Sequence, residues 1–332
     1  MREGSHDKRM DNKKIIPVVF ATDDNYVVPT YLAAYSMLKN LSEDYVARMY
    51  VMIPGTLTVE GRKILLSLES IGNCKVELLN MENEFSNIKM RISYISCATY
   101  YRLLLAEYLK QFPKCVYLDS DIIVNCNVAD LYNLNLEENY LAGVVATEPT
   151  FPEKSDDEKK KYAEMLQVKS VDKYINAGIL VMNLETIRRD NMCEAFMALI
   201  KKNYPFQDQD ILNAACYGKI LFLPRKYNVG PLKRNEKAEA TFSKEHRDEI
   251  EVAYAHPAIV HYAQPQKPWL SRSFPMASYW WKYYDAIDPK FREEYLDEFI
   301  RKNRKNAIKV RIKHSKLVMG TWQMLKKIKK NH

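Results

Sequence analysis

Strand-like apolar runs alternate with helix-spaced segments through the first half of this 332-residue chain, and that alternation constrains its fold more than any other feature. Residues 15–22, 49–54 and 76–79 read as strands, while 29–38, 59–71 and 98–110 carry helical spacing. Strand, crossover helix and strand repeat as a parallel unit, so the pattern predicts an α/β protein with a largely parallel sheet. No G-x-G-x-x-G follows the first strand, which disfavours a dinucleotide site of the Rossmann type. The second half is less regular. Strands are expected at 140–147, 174–184, 220–224 and 258–262 and helices at 185–202 and 208–217, with polar stretches at 148–170 and 233–252 read as loops or surface excursions.

Within this pattern, Lys114-Cys115-Val116-Tyr117-Leu118-Asp119-Ser120-Asp121-Ile122-Ile123-Val124 delivers two carboxylates one residue apart at the end of a buried strand. Carboxylate oxygens are hard ligands suited to Mg²⁺ or Mn²⁺, and those ions reach substrate phosphates through one or two protein carboxylates. The spacing alone is weak, since a chain of this length holds about one Asp-x-Asp by chance. A second pair, Asp208 and Asp210, opens a helical pattern, where acidic residues also cap the N-terminus and complement the dipole. Address separates the two. Ligands of open α/β sheets collect beyond the carboxyl ends of the strands, which favours Asp119 and Asp121 for the ion and points to a phosphorylated, nucleotide-linked substrate.

Composition narrows the setting. Hydrophobic residues at 47% suffice for a sizeable core, and no apolar run approaches the roughly 18 residues of a membrane span. Residues 1–14 are polar and charged without the apolar centre of a signal peptide, so a cytoplasmic protein is expected. Six cysteines form no C-x-x-C pair, which argues against zinc and a disulfide framework. The net charge of +8 reflects a C-terminal tail with no acidic side chain beyond Glu298, where Lys and Arg interleave with apolar residues such as Leu317, Trp322 and Ile328. That composition suits a helix on an anionic membrane, at about 1 kcal/mol per basic residue near the headgroups. A solvated basic helix or a disordered tail has the same composition. Nucleic acid is not an expected partner, because no recognition motif accompanies the charge.

Several segments then occur in a telling order: Phe20-Ala21-Thr22-Asp23-Asp24-Asn25-Tyr26, Thr99-Tyr100-Tyr101-Arg102, Tyr117-Leu118-Asp119-Ser120-Asp121, Ile175-Asn176-Ala177-Gly178, Gln207-Asp208-Gln209-Asp210, and His261-Tyr262 followed by Lys267-Pro268-Trp269. Together they make the chain resemble glycosyltransferase family 8, retaining sugar transferases that include bacterial lipopolysaccharide galactosyl- and glucosyltransferases. The resemblance runs from about residue 18 to residue 269. It implies a GT-A fold, a Rossmann-like nucleotide-binding half merged with an acceptor-binding half around a mixed central sheet. It also implies a UDP-sugar donor with Mn²⁺ or Mg²⁺ as cofactor.

Carried over residue by residue, the resemblance makes Asp119, Asp121 and His261 metal ligands, a set in which the imidazole favours Mn²⁺. His261 alone would read as a satisfied histidine beside a strand. Ala21, Asp23, Asn25 and Tyr26 match uridine-binding positions, although an Asx-rich turn capping the next helix would use the same residues. Lys267 matches a diphosphate ligand and Arg102 an arginine near the donor. Ser120, Asn176, Ala177, Asp208 and Gln209 complete the donor-binding set, with Asp208, Gln209 and Lys267 as the catalytic group. Two departures bear on the substrate: Gln264 stands where many members have glycine, and Thr147-Glu148 stands where the family's galactosyltransferases have an aspartate.

The expected protein is a retaining hexosyltransferase that moves galactose or glucose from a UDP-hexose to a glycan or glycolipid acceptor in lipopolysaccharide or other surface glycan synthesis. Its organisation is a flexible segment at 1–14, a GT-A domain at 15–298 and a membrane-association segment at 299–332, holding it peripherally on the inner face of the cell membrane. Two other readings share the residues: a catalytically silent UDP-sugar-binding protein docked on membranes, and a metal-dependent nucleotidyltransferase.

Overall fold

Runs of β-branched and aromatic residues build the sheet that organises the protein in a computed structural model, which describes residues 13–82, 84–85, 97–146, 155–231 and 243–306. The strands are β1 (Lys14–Ala21), β2 (Tyr45–Ile53), β3 (Cys74–Asn80), β4 (Cys115–Leu118), β5 (Ile122–Val124), β6 (Leu141–Val145), β7 (Ile175–Met182), β8 (Ile220–Phe222) and β9 (Ile259–His261). Seven of them form one sheet in the order β3-β2-β1-β4-β7-β6-β8, and β5 pairs with β9 in a second. β1 runs parallel to β2 and β4, and β2 to β3. β7 is antiparallel to both β4 and β6, while β8 is parallel to β6, so the sheet is mixed as expected.

The helices are α1 (Val27–Asn40), α2 (Val59–Leu66), α3 (Leu105–Tyr108), α4 (Ala129–Tyr132), α5 (Asp156–Leu166), α6 (Leu184–Arg189), α7 (Met192–Ile200), α8 (Gln207–Ala215), α9 (Lys244–Ala255), α10 (Ala277–Asp285) and α11 (Pro289–Phe291). α1 is buried from Val27 to Leu38, which explains its apolar sequence on every face. It also anchors the second sheet. Val124 N donates to Ser36 Oγ (2.9 Å), and Asn40 Nδ2 donates to the Val124 carbonyl (3.0 Å).

Local chemistry accounts for three differences from the expected elements. Most of the segment expected as one helix at 98–110 is 3₁₀ (Cys97–Leu104), and there the Thr99 carbonyl accepts from the Arg102 side chain (3.0 Å). The helix expected at 185–202 is split into α6 and α7 by Asn191 at φ 54°, a left-handed conformation that Asn tolerates better than most residues. The polar stretches are not simply loops. They contain α5, whose Ser155 and Glu158 form a reciprocal capping box, and α9.

The chain divides after Pro265 into two compact units. The first holds both sheets, and Val19, Tyr50, Tyr101, Tyr117, Leu180 and Leu212 in its core are no more than 1% exposed. The second is an aromatic cluster. Trp280 stacks on Tyr284 (5.0 Å, 18°), the Arg272 guanidinium lies 4.1 Å from the centre of the Trp281 ring, and Arg272 grips Asp285 through two bonds of 2.7 and 2.8 Å. Helical backbone continues at 297–306, beyond the expected limit of the folded domain at Glu298, with Ile300 buried and Arg304 Nε donating to the Trp269 carbonyl (3.4 Å). Residues 1–12 and 307–332, which hold most of the expected N-terminal and membrane-association segments, lie outside the described residues.

Candidate active site

Two strand pairings assemble the proposed metal ligands. Asp119 leaves β4 and Asp121 enters β5, while β9 pairs with β5 so that Ile122 lies opposite His261 and Tyr262 N donates to the Asp121 carbonyl (2.9 Å). A histidine 140 positions away in sequence therefore closes on the acidic pair. One ligand atom from each of Asp119, Asp121 and His261 lies within 4.8 Å of the others, with His261 Nε2 at 3.6 Å from Asp119 Oδ2 and 3.4 Å from Asp121 Oδ1.

The fit to a cation is also visible in what is missing from β7. A Cβ on Gly178 would run into the His261 ring and stand 2.7 Å from Asp119 Oδ2, so only glycine leaves this space clear. The Gly178 carbonyl in turn accepts from Asp119 N (2.7 Å). Two carboxylates and one imidazole around a cradle of this kind suit Mn²⁺ or Mg²⁺.

Arg102 is 4% exposed and is held by the protein itself. Its Nη2 pairs with Asp119 Oδ1 (2.8 Å), its Nε with Asp208 Oδ2 (3.0 Å), its Nη1 donates to the Ala177 carbonyl, and its guanidinium lies 4.2 Å from the centre of the Tyr117 ring. Burial would lower its pKa, but Asp119 and Asp208 more than offset that and keep it charged. Arg102 therefore orients two acidic residues of the site at once. Asp208, which also accepts from Thr99 Oγ1, is pushed up to about 6, because burial outweighs the pull of Arg102 and Thr99.

α8 presents Asp208, Gln209 and Asp210 to different neighbours. Gln209 Oε1 accepts from Ala177 N (3.0 Å) and from Asn176 Nδ2 (3.1 Å), and Gln209 Nε2 donates to Tyr174 Oη (3.2 Å). Asp210 is fully buried and accepts from Tyr174 (2.6 Å), Tyr162 (2.8 Å) and Phe206 N (2.7 Å). Burial first, and Asp210 next, raise the Tyr174 phenol well above its ordinary range, so it stays a donor. The helix starts with Gln207 at φ 52°, its buried side-chain amide making no hydrogen bond.

The loop after β1 contains the Asx turn considered from sequence: Asp23 Oδ1 accepts from Asn25 N (2.9 Å), and the Asp23 carbonyl accepts from Tyr26 N (2.9 Å). Asn25 remains exposed. Ser120 is buried, donates to the Ala21 carbonyl (2.8 Å) and lies 2.7 Å from Thr30 Oγ1, so it ties the β1 exit to the Asp119 segment. Lys267 is 9% exposed and belongs to the second unit, at the start of the 3₁₀ turn Pro268–Leu270. Thr147 and Glu148 lie outside the described residues. Gly178, Thr99 and Tyr117 received no role from sequence, and only Gly178 carried a signal, as an isolated glycine inside a strand pattern.

Residues 17–273 match glycosyl transferase family 8. The chain belongs to this family. A Haemophilus influenzae relative, named only as a glycosyltransferase, is 31% identical over 222 residues, which is 66% of this chain and 64% of that one. The chain thus spans under two thirds of that family member's length. A lipopolysaccharide 1,2-glucosyltransferase of Escherichia coli is 24% identical across 96% of this chain and 92% of its own. Among solved structures, the galactosyltransferase LgtC in complex with donor and acceptor sugar analogues superposes with a TM-score of 0.65 at 25% identity, covering 84% of this chain and 99% of that one. The family and its structural neighbours make the fold GT-A.

Proposed function

We propose that this family 8 glycosyltransferase transfers a hexose, galactose or glucose, from a UDP-hexose to a glycan or glycolipid acceptor with retention at the anomeric carbon. The convergence of Asp119, Asp121 and His261 around the space cleared by Gly178 carries the reading. These three residues would hold Mn²⁺ or Mg²⁺. A divalent ion there supplies Lewis-acid stabilisation of the departing diphosphate.

The chain's own residues do the rest. Ala21, Asp23, Asn25 and Tyr26 receive the uridine, and Ser120 fixes the β1 exit beside Asp119. Arg102 keeps Asp119 and Asp208 aligned, and Lys267, assigned on its sequence motif, adds positive charge for the diphosphate. Asn176, Ala177 and Asp208 face the donor sugar, where buried acceptors and donors discriminate between hydroxyl epimers. Gln209 Oε1 already accepts two hydrogen bonds, which argues against it as a nucleophile. The acceptor hydroxyl therefore attacks from the face that UDP leaves: the sugar C1–O bond to UDP breaks, the bond to the acceptor oxygen forms, and the acceptor proton passes to a diphosphate oxygen. Relatives named for lipopolysaccharide transfer support a surface-glycan acceptor, and the basic 299–332 segment would hold the enzyme on the inner membrane face.

Incubation with a panel of UDP-sugars, with Mn²⁺ and again with a chelator, tests the reaction by UDP release. Metal-dependent UDP release from UDP-galactose or UDP-glucose is expected. Pyrophosphate as product would favour the nucleotidyltransferase, and no turnover with any donor would favour a silent binding protein.

A further inference from the structure

Behind His261 runs a chain of side-chain amides whose orientations are set by the backbone. His261 Nδ1 lies 3.1 Å from Asn228 Oδ1, Asn228 Nδ2 donates to Asn176 Oδ1 (2.8 Å), and Asn176 Nδ2 donates to Gln209 Oε1 (3.1 Å). Amide oxygen and nitrogen are ordinarily interchangeable by a flip, so direction has to come from a partner that cannot flip. Two backbone N–H groups supply it: Gly178 N donates to Asn176 Oδ1 (2.9 Å) and Ala177 N donates to Gln209 Oε1 (3.0 Å). Both belong to the part of β7 that faces a register shift in its pairing with β6.

The direction then propagates. With Asn176 Oδ1 pinned as an acceptor, Asn228 must turn its NH₂ to Asn176 and its carbonyl to His261. His261 Nδ1 must therefore carry the hydrogen, and the Nε2 lone pair is left facing Asp119 and Asp121. Asn228 is itself fixed by backbone bonds, since Asn228 N donates to Arg225 O (3.0 Å), Val229 N to Ile259 O (3.0 Å) and His261 N to Val229 O (2.9 Å). Metal-binding histidines are commonly held in their working tautomer by a partner on the opposite ring nitrogen, and loss of such a partner costs about 10–100-fold in metal affinity.

We propose that Asn228, itself oriented by the backbone-pinned Asn176, is a positioning residue that selects the Nδ1–H tautomer of His261. This rests on the metal site proposed above.

The test uses the full chain and two probes. Mn²⁺ affinity is measured by electron paramagnetic resonance in wild type, Asn228→Asp and Asn228→Ala. Asn228→Asp keeps an acceptor for His261 Nδ1–H and is expected to bind within about threefold of wild type, whereas Asn228→Ala loses at least tenfold. With Mg²⁺, the ¹⁵N signals of wild type should show hydrogen on His261 Nδ1. The wild-type histidine signal does not depend on either variant folding. Hydrogen on Nε2 in the loaded protein, or equal affinities in all three proteins, would overturn the proposal. A wild type that binds no Mn²⁺ would instead overturn the metal site itself.

Discussion

Asp208 has a structural role in its ion pair with Arg102, and its proposed role in sugar recognition can be tested separately. It is buried against Arg102 and Thr99, yet burial leaves its carboxyl pushed up to about 6 from an ordinary 3.8. A raised pKa means that the acceptor form needed to read a sugar hydroxyl is lost as pH falls through that value. UDP-hexose should therefore bind more tightly than UDP at pH 7.5, and the ratio of their affinities should shrink as pH is lowered past about 6. Comparing the two ligands by calorimetry at saturating Mn²⁺ cancels effects on the metal ligands common to both. A ratio that stays flat from pH 7.5 to pH 5 would remove Asp208 from sugar recognition.

At the scale of elements, β7 serves the site through what it omits. Gly178→Ala would place a methyl against His261 and 2.7 Å from Asp119 Oδ2, where Asp119 is also held by Arg102. Mn²⁺ affinity should fall at least about tenfold, the scale seen when a metal ligand's orientation is disturbed, while far-ultraviolet circular dichroism stays unchanged. Wild-type affinity in Gly178→Ala would mean that the ion sits elsewhere. The alternation of strands and helices was legible because period and apolar content report directly on burial, as was the address of Asp119 and Asp121 at a strand end. The role of Arg102 was only partly legible. Sequence placed it near the donor, but its side-chain bond to the Thr99 carbonyl and its pairing with both Asp119 and Asp208 depend on contacts between β4, α8 and a 3₁₀ segment. The amide chain from Asn228 to Gln209 was hidden for the same reason: its members lie far apart in sequence, and no local pattern joins them.

For the whole molecule, the packing of the second unit reaches beyond Glu298. The Phe299 ring packs against Trp269 at a tilt of 53° (6.0 Å between ring centres) and Ile300 is buried, so a cut after Glu298 would remove part of the second unit's packing. Truncation after Asn306 is the cleaner separation. It should weaken binding to anionic vesicles by at least about tenfold, since several basic residues each contribute about 1 kcal/mol near such a surface, while transfer to a soluble acceptor stays within about twofold. Unchanged vesicle binding in a sedimentation assay would remove the membrane role. No helix among the described residues is long and apolar enough to cross a membrane. The central claim, that Asp119, Asp121 and His261 form the metal-dependent heart of a UDP-sugar site, is tested most directly by calorimetric binding of UDP to wild type and Asp121→Asn with and without Mn²⁺. Wild type should bind UDP tightly only with Mn²⁺ and Asp121→Asn should lose at least about a hundredfold of that gain; equal, metal-independent binding by both proteins would contradict the account.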